Sequence, residues 1–351
     1  MIEGPIKKLQ KYLEQNALDA FLVLTKLNRQ YVSGFTGSSG AVLVTKNHAE
    51  LYVDDRYTIR AKRESPLPVR PFSSLPLRGR VREGWRIGIE DKISVCEFQK
   101  LKQDYKGVKF TTTSNVIENL RAVKSADEFK KIKKAATIID RIFSAEKIRS
   151  IIGKTEIAVA QDLERLAIKY GADGMAFESI VAFGANAAAP HHLSGKQKIK
   201  KNNFLLMDFG VLVSGFHSDF TRTLFIGSPS RKQEKIYNTV LEAQKLGIEK
   251  AIASNPAAAV DAAARGHIAK AGFGKYFTHN TGHGVGLEIH ELPNFSTNTQ
   301  DILRSDMVVT VEPGIYIEKW GGVRIEDMIL VGKDSIALQK SPRDLKSMII
   351  N

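Results

Sequence analysis

The sequence predicts a two-domain α+β protein, in which a small α/β domain precedes a larger domain of helices and β-hairpins. The chain has 351 residues, which is long for a single hydrophobic core. Short helical and strand patterns alternate over residues 1–112, as they do in α/β domains. Beyond that point longer helical patterns and strand-turn-strand patterns dominate, which indicates a second domain.

The first domain is predicted to span 1–122. Its strands are short β-prone runs, predicted at 20–24, 41–45, 50–54, 86–90 and 109–113. Its helices are predicted from longer patterns at about 3–16, 57–64 and 96–105. This alternation is typical of a small α/β domain.

The second domain is predicted to span 123–351. Ser125, with Glu128 three residues later, forms a capping-box pattern that starts a helix running to about 150. Further helices are predicted at about 155–170, 231–253 and 258–271. Strands are predicted around 177–183, at 203–226 and from 277 onward.

Composition excludes several classes of protein. The chain is 43% hydrophobic and 26% charged, which is ordinary for a soluble globular protein. No secretory signal is evident, and no stretch approaches the roughly 20 apolar residues of a membrane span. The single cysteine, Cys96, excludes an intramolecular disulfide and a thiolate zinc site. We therefore expect a cytoplasmic protein without a membrane partner.

The net charge of +14 raises the question of a nucleic-acid partner. Much of the excess lies in lysine groups at 130–134 and 196–201. No aromatic residue is interleaved with these lysines, and no nucleic-acid-binding motif accompanies them. We therefore expect a solvated, lysine-rich surface and no nucleic-acid partner.

Four carboxylates stand where the apolar pattern predicts buried strands. Asp208 interrupts the apolar run FLLM-FGVLV, and Asp219 follows one hairpin turn later. Glu312 follows VVTV, and Glu326 lies between VRI and MILV. A carboxylate in such a place is costly unless it is paired or bound to a cation.

Segments 204–226 and 307–331 share one pattern, a strand, an acid, a turn, a second acid and a strand, which indicates internal pseudo-symmetry. The simplest partners for the acids are Arg222 in the first segment and Arg324 in the second. Two arginines cannot easily pair with four acids, so a metal site is the better explanation. Four carboxylates nearly neutralise two divalent cations. Such ligands favour manganese or cobalt, with zinc and iron as alternatives.

His283 is the candidate nitrogen ligand. It lies in TGHGVGLEIHE, where flanking glycines permit unusual backbone angles and close approach. His279 and His290 lie in the same twelve-residue stretch, and this density of histidines favours a functional role. Two metal ions at one site can activate water and polarise a carbonyl, so the pattern predicts a two-metal hydrolase.

Five motifs follow one another in the second domain: MDFG, HSDFTRT, GHGVGLEIHE, EPGIY and GGVRIED. As a set they resemble the metallopeptidase family that contains aminopeptidase P, prolidase and methionine aminopeptidase. The resemblance runs over essentially the whole chain. It implies a creatinase/prolidase-like N-terminal domain followed by a catalytic domain with the pita-bread fold.

The resemblance implies five metal ligands: Asp208, Asp219, His283, Glu312 and Glu326. Asp219 and Glu326 would bridge two divalent ions in each subunit. Asp208 would complete the ligands of one ion, and His283 with Glu312 those of the other. The ions implied are Mn²⁺, with Co²⁺ or Zn²⁺ as alternatives.

The resemblance also implies catalytic roles. His191 and His290 would contact the scissile carbonyl or stabilise the tetrahedral intermediate. Tyr316 and Arg324 would support the metal ligands from behind. For the mechanism we further expect Glu312 to take the proton of the attacking water and deliver it to the leaving nitrogen. The remaining histidines near the motifs are expected to be structural or peripheral: His192, His217 and His279.

Within the family, the N-terminal domain disfavours a methionine aminopeptidase, which generally lacks one. The segments NRQYVSGFTGSSG and DDRYTIRAKRE resemble short bacterial Xaa-Pro aminopeptidases. We therefore expect cleavage before a proline in the second position of small peptides, through a hydroxide bridging the two metals, in a homodimer. An Xaa-Pro dipeptidase (prolidase) is the alternative. A non-catalytic pita-bread binding protein is disfavoured, because no ligand position is altered.

Two turns depart from the family pattern. Asn202 and Asn203 replace Gly-Asp before the strand that carries Asp208, and Asp306 replaces a glycine before the strand that leads to Glu312. Asn and Asp tolerate the left-handed backbone that glycine adopts freely. We therefore expect both turns to leave the ligands undisturbed.

Overall fold

Residues 3–75, 84–145 and 150–350 are described by the computed structural model. The chain divides into two units, Met1–Arg121 and Ala122–Asn351. Each unit contains buried hydrophobic clusters of its own. Among the described residues, no helix is both long enough and apolar enough to cross a membrane.

The first unit is built on a six-stranded sheet. Its strands are β1 (Ala20–Val23), β2 (Ala41–Thr45), β3 (Ala49–Val53), β4 (Val69–Pro71), β5 (Arg86–Glu90) and β6 (Lys109–Thr113). They lie in the order β4-β3-β2-β1-β5-β6. The helices up to the boundary are α1 (Glu3–Gln15), α2 (Lys26–Ser33), α3 (Thr58–Glu64), α4 (Val95–Asp104) and α5 (Val116–Ala122). Strand β1 pairs antiparallel with β2 and parallel with β5.

Strand β1 shows that the sheet is covered on both faces. Successive side chains of a strand point to opposite faces. Phe21 and Val23 belong to the hydrophobic cluster that contains Leu9 of α1. Ala20 and Leu22 belong to a different cluster on the other face. A strand buried on both faces needs a continuous apolar run, and AFLV supplies one.

Helix α2 is not among the predicted elements. Its buried residues include Asn28 and Arg29, so it lacks the apolar period by which helices are recognised. The Arg29 guanidinium donates hydrogen bonds to the carbonyls of Leu24, Gly37 and Gly40. Buried polar contacts hold this helix, which explains why the hydrophobic pattern missed it. The short edge strand β4 is likewise not predicted.

The second unit combines helices with several small sheets. Its helices in the described ranges are α6 (Ala126–Phe143), α7 (Glu156–Lys169), α8 (Arg231–Lys250) and α9 (Ala257–Lys270). Its strands are β7 (Gly174–Met175), β8 (Ile180–Phe183), β9 (Asn203–Asp208), β10 (Val211–Val213), β11 (Phe216–His217), β12 (Thr221–Ile226), β13 (Gly282–Gly284), β14 (Glu291–Phe295), β15 (Val308–Val311), β16 (Gly314–Ile317), β17 (Gly321–Arg324), β18 (Asp327–Leu330), β19 (Ile336–Ala337) and β20 (Ile349–Ile350). The sheets run β11-β10-β7, β20-β12-β9-β8, β14-β13-β15-β18-β19 and β16-β17.

Helix α6 begins where the sequence predicts and ends earlier. The Ser125 hydroxyl accepts from the Glu128 N–H, and the Glu128 carboxylate accepts from the Ser125 N–H, so the capping box is confirmed. The helix ends at Phe143 rather than near 150. The Ser144 hydroxyl donates to the carbonyl of Asp140, a local contact by which serine competes with helix continuation. Of the predicted span, 146–149 lie outside the described residues.

Two hairpins with equivalent pairing lie next to each other in the second unit. Strands β9 and β12 pair antiparallel with Asp208 opposite Thr221, and β15 and β18 pair antiparallel with Val311 opposite Asp327. The Glu326 N–H donates to the carbonyl of Thr221 at 3.1 Å, which joins the hairpins near these ends. The internal similarity of the two sequence segments thus corresponds to two hairpins that carry acids at matching ends.

Both atypical turns adopt the left-handed backbone, as the sequence predicts. Asn202 has φ 66° just before β9, and Asp306 has φ 66° two residues before β15. The side chains that replace glycine are therefore compatible with the required geometry.

Arg222 of β12 binds the two hairpins together on the side away from the acids. Its guanidinium is fully buried and donates to Asp327 Oδ1 at 2.8 Å. It also donates to the carbonyls of Ser341 and Pro342 at 3.0 and 2.9 Å. Asp327 accepts a further hydrogen bond from Gln244 at 2.7 Å. This is a fully buried ion pair with its polar atoms well satisfied.

We expect Arg222→Met to lower the free energy of unfolding by ~3 kcal/mol, because it leaves the buried Asp327 with one charged partner fewer. Denaturant unfolding followed by circular dichroism measures the loss. Lys245→Met is the control, since it removes the exposed pair between Lys245 and Glu242 and should change the free energy by no more than ~0.5 kcal/mol. Equal effects of the two substitutions would contradict this role of Arg222.

Candidate active site

A cleft of about 600 Å³ lies within the second unit. All the residues that the sequence predicts for the site line this cleft, except Tyr316, which lies behind Arg324. Apolar side chains such as Phe177, Ile180 and Leu193 form other parts of its wall. The fold therefore brings together motifs that are spread over more than a hundred residues of the chain.

The two hairpins place their acids at the floor of the cleft. Asp208 ends β9, Asp219 precedes β12, Glu312 follows β15 and Glu326 precedes β18. Asp219, His283 and Glu326 each offer a ligand atom, and these atoms lie within 4.8 Å of one another. His283 Nε2 lies 3.6 Å from Asp219 Oδ2 and 3.3 Å from Glu312 Oε1. The spacing is that of a site for one or more cations.

Burial and mutual repulsion raise the pKa values of three of the acids. Burial, followed by the charges of the neighbouring carboxylates, raises the pKa values of Asp219 and Glu326 well above the usual range. Burial also raises the pKa of Asp208, against the effect of Arg324. Without a cation, these like charges disfavour ionisation of one another.

His283 and Glu312 stabilise each other's charged forms. Burial would raise the pKa of Glu312, but the hydrogen bond and charge of His283 lower it to about 2. Burial would lower the pKa of His283, but Glu312 and Asp219 raise it to about 9. In the metal-free protein, the protonated imidazole therefore places a positive charge next to these carboxylates, as a bound metal ion would.

Arginine pairing does not account for the acids. The two arginines pair across the hairpins: Arg222 of the first hairpin bonds Asp327 of the second, and Arg324 of the second hairpin bonds Asp208 of the first. Among the described residues, no lysine or arginine forms an ion pair with Asp219, Glu312 or Glu326. Asp208 Oδ1 and Glu326 Oε1 are buried with no hydrogen-bond partner. These orphaned carboxylate oxygens fit divalent metal ions, for which buried carboxylates are suitable ligands.

Arg324 connects both hairpins beneath the acids. Its guanidinium donates to Asp208 Oδ2 at 2.6 Å, to the Tyr316 hydroxyl at 2.8 Å and to Thr221 Oγ1 at 3.1 Å. Thr221 in turn donates to Glu326 Oε2 at 2.6 Å. Burial raises the pKa of Tyr316 to about 12, so its hydroxyl stays protonated. Arg324 thereby fixes one oxygen of Asp208 and leaves the other facing the cleft without a partner.

His191 and His290 lie at the cleft and are exposed at its surface. The His290 ring packs edge-on against His283 with 4.3 Å between ring centroids. Burial, and then the charge of His283, lower the pKa of His290, which favours a neutral imidazole. No hydrogen bond within the described part of the chain holds the His191 ring. Both histidines can therefore donate to a substrate bound above the acids.

Two further histidines, His192 and His279, also line the cleft. The sequence predicts structural or peripheral roles for both. His279 Nε2 lies 2.8 Å from the Tyr316 hydroxyl, which links it to Arg324. His217 lies 3.1 Å from the carbonyl of Gly286 through Nδ1, a structural contact consistent with the expectation. The clustering of histidines around His283 was the signal that could have identified His279.

Comparisons with known proteins decide the family. Residues 130–333 match the family model described as Metallopeptidase family M24. The chain belongs to this family. Residues 5–123 match the Creatinase/Prolidase N-terminal domain. The family resemblance and the fold class inferred from the motifs, an N-terminal α/β domain followed by a pita-bread catalytic domain, are confirmed.

Known proteins resemble the chain along nearly its whole length. An Xaa-Pro dipeptidase of Pyrococcus horikoshii is 39% identical over 343 residues, which cover 97% of this chain and 98% of the relative. A solved Xaa-Pro dipeptidase from Bacillus anthracis has a TM-score of 0.91 at 35% identity, covering 99% of this chain and 100% of that one. A solved X-Pro aminopeptidase from Thermotoga maritima has a TM-score of 0.87 at 32% identity, covering 98% and 99%. The chain is thus a metallopeptidase of the M24 family.

We expect the melting temperature of the metal-free protein to fall between about pH 5 and 9. Asp219 and Glu326 have raised pKa values in the folded state, and that of His283 is raised to about 9, so the folded chain binds these protons more tightly than the unfolded chain. Their stabilising contribution is lost as pH rises through the folded-state pKa values. The lowered pKa of Glu312 acts only at more acidic pH.

Scanning fluorimetry of chelator-treated protein at several pH values measures this dependence. Protein loaded with Mn²⁺ should show a smaller fall, because metal ions bind the deprotonated ligands. The double variant Asp219→Asn, Glu326→Gln should also flatten the dependence in the metal-free state. A melting temperature that stays constant or rises with pH in metal-free wild-type protein contradicts the prediction.

Proposed function

We propose that this chain is a dinuclear metal-dependent peptidase that hydrolyses the bond between an N-terminal residue and a following proline. The observation that carries the proposal is the group of four acids and His283 in a cleft, three of the acids without a lysine or arginine partner among the described residues. The names of its relatives support cleavage at Xaa-Pro bonds. The chemistry and the family thus agree on the type of reaction.

Five residues would hold the metals, with the roles that the family resemblance implies: Asp208, Asp219, His283, Glu312 and Glu326. Two divalent ions bound there would supply an activated water and polarise the scissile carbonyl. Carboxylate-rich ligation with one imidazole favours Mn²⁺, with Co²⁺ or Zn²⁺ as alternatives. Arg324 and Tyr316 would keep Asp208 oriented through the hydrogen bonds described above.

The remaining groups would act on the substrate directly. His290 and His191, at the mouth of the site, would donate hydrogen bonds to the oxygen that becomes negatively charged. Glu312 would accept the proton of the attacking water and return it to the proline nitrogen. Proline has no N–H and its ring fixes φ, so a site that docks peptides as an extended strand suits it poorly. Recognition of the free N-terminus at an acidic centre avoids that requirement.

Dipeptides are the first candidate substrates. The P. horikoshii and B. anthracis relatives are Xaa-Pro dipeptidases, and both match nearly the whole chain. Longer Xaa-Pro peptides are the second candidate, as the sequence analysis expected. The charge of the cleft favours longer peptides. Arg324 is the one lysine or arginine among the described residues that line the cleft, and it is already bound to Asp208. The carboxylate of a dipeptide would therefore lack a free cationic partner there.

Two broader expectations belong to the same proposal. A homodimer is supported by the family resemblance. A cytoplasmic location is supported by the single cysteine, Cys96, which is exposed and unpaired and therefore suits a reducing compartment. Sedimentation of the purified protein tests the first expectation directly.

We expect chelator treatment to abolish cleavage of Xaa-Pro peptides and Mn²⁺ or Co²⁺ to restore it. Glu312→Gln should lower kcat by roughly 10²- to 10⁴-fold through loss of proton transfer. Metal analysis of the same preparation separates lost chemistry from lost metal. Glu318→Gln, a change of an exposed residue nearby, is the control and should leave activity unchanged. Full activity in the metal-free protein would contradict the proposal.

Substrate length is tested by comparing kcat/KM for Ala-Pro with that for Ala-Pro-Ala at fixed metal concentration. A dipeptidase should prefer the dipeptide by at least about tenfold, which corresponds to ~1.4 kcal/mol of transition-state binding. Amidation of the dipeptide carboxylate is the control for charge. A preference for the tripeptide and the amide would establish the second candidate, and cleavage of neither peptide would overturn both.

A further inference from the structure

Glu156 is a buried carboxylate beneath the segment that carries His191. It is the first residue of α7, and its side chain is completely inaccessible to solvent. The segment between Gly184 and Gly195, named here the histidine loop, follows β8 and returns over the start of α7. No residue of the sequence motifs pointed to this carboxylate. It lies outside the group of acids at the cleft floor.

Both oxygens of Glu156 accept two hydrogen bonds each. Oε1 accepts from the Phe183 N–H at 2.7 Å and from Asn186 Nδ2 at 2.9 Å. Oε2 accepts from His192 Nε2 at 2.9 Å and from the Gly195 N–H at 3.1 Å. The donors lie at the entrance, within and at the exit of the histidine loop. A single charged group therefore ties both ends of the loop to α7.

The alternative role for such a residue is to cap its own helix. Thr155 already does so, since its hydroxyl accepts from the Ala158 N–H at 3.3 Å. None of the four hydrogen bonds to the Glu156 side chain comes from α7. Burial would raise the pKa of Glu156, but these hydrogen bonds hold it below the usual range, so the carboxylate stays ionised. Charged acceptors form the stronger hydrogen bonds in proteins.

The His191 imidazole has no hydrogen bond of its own among the described residues, so its position depends on the backbone that carries it. Ser194 provides a second anchor, because its hydroxyl accepts from the Val181 N–H and donates to the carbonyl of Ser179. His192, next to His191, donates to Glu156 rather than to the cleft floor. The contacts of Ser194 and Glu156 therefore determine the orientation of the loop, and with it the position of His191.

We propose that Glu156 is a positioning residue that holds the histidine loop and thereby places His191 over the acids. This inference rests on the proposed function, in which His191 contacts the reacting carbonyl. Removal of the charge leaves the acids and their metal ligation intact but allows the loop to shift. Misplacement by about 1 Å is enough to cost a large factor in rate.

The test compares Glu156→Gln with Asp162→Asn. Asp162 is a buried carboxylate on the same helix, but it pairs with Lys154 and Arg165 away from the cleft. We expect Glu156→Gln to lower kcat by roughly 10- to 100-fold while KM and the metal content change by less than about threefold. In a His191→Ala background the same substitution should have no further effect on kcat, because it acts through His191. Asp162→Asn should leave kcat unchanged in both backgrounds.

A second readout does not depend on catalysis. Amide hydrogen exchange over residues 184–195 should be faster in Glu156→Gln than in wild type and unchanged in Asp162→Asn. If Glu156→Gln does not accumulate as folded protein, Asn186→Ala removes one donor to the same carboxylate and should show both effects at smaller size. Equal exchange in the two carboxylate variants, or full additivity with His191→Ala, overturns the inference. If the wild-type protein does not cleave Xaa-Pro peptides, the proposed function is wrong. The hydrogen-exchange experiment then still tests whether Glu156 holds the histidine loop.

Discussion

The chemistry of the second unit depends on the electrostatic repulsion between carboxylates that two hairpins hold close together. Burial and neighbouring negative charges raise the pKa values of Asp219 and Glu326. Asp208 Oδ1 and Glu326 Oε1 have no hydrogen-bond partner among the residues that the structure describes. Antiparallel pairing fixes the register of each hairpin, so the acids cannot move apart without loss of the strand ladder. The scaffold therefore holds a centre that divalent cations stabilise and that protons stabilise in their absence.

The buried arginines next to this centre pair with acids of their own, which distinguishes the acids at the cleft floor that have no such partner among the described residues. Arg222 and Asp327 form a fully buried pair only one residue from Glu326 along the chain. Arg324 donates hydrogen bonds to Asp208, Tyr316 and Thr221, and it forms no ion pair with the other acids at the cleft floor. Buried charge is tolerated when it is paired and hydrogen-bonded. The Arg222–Asp327 pair beside the cleft satisfies this condition. Among the described residues, Asp219, Glu312 and Glu326 at the cleft floor have no lysine or arginine partner, and a metal would supply the missing positive charge.

The sequence predicted those parts of the fold that depend on interactions between residues close together in the chain. The acids were predictable because each interrupts or borders an apolar strand, and the capping box at Ser125 begins α6 as expected. Contacts between distant segments were not predictable. The crossed pairing of Arg222 and Arg324, the polar helix that carries Arg29 and the place of His279 in the cleft all depend on which elements pack together. A single sequence shows the hydrophobic pattern of an element but not its polar partners.

The two catalytic histidines proposed here share one physical difficulty. A group that donates to substrate must be exposed at the cleft, and His191 and His290 are therefore unable to rely on burial for their positions. In each case a buried charge adjoins the histidine. Glu156 holds the loop that carries His191, and Glu291, directly after His290, accepts from the buried Lys124 at 2.7 Å. Strong hydrogen bonds just outside the cleft can thus fix exposed side chains without occupying the space that substrate needs.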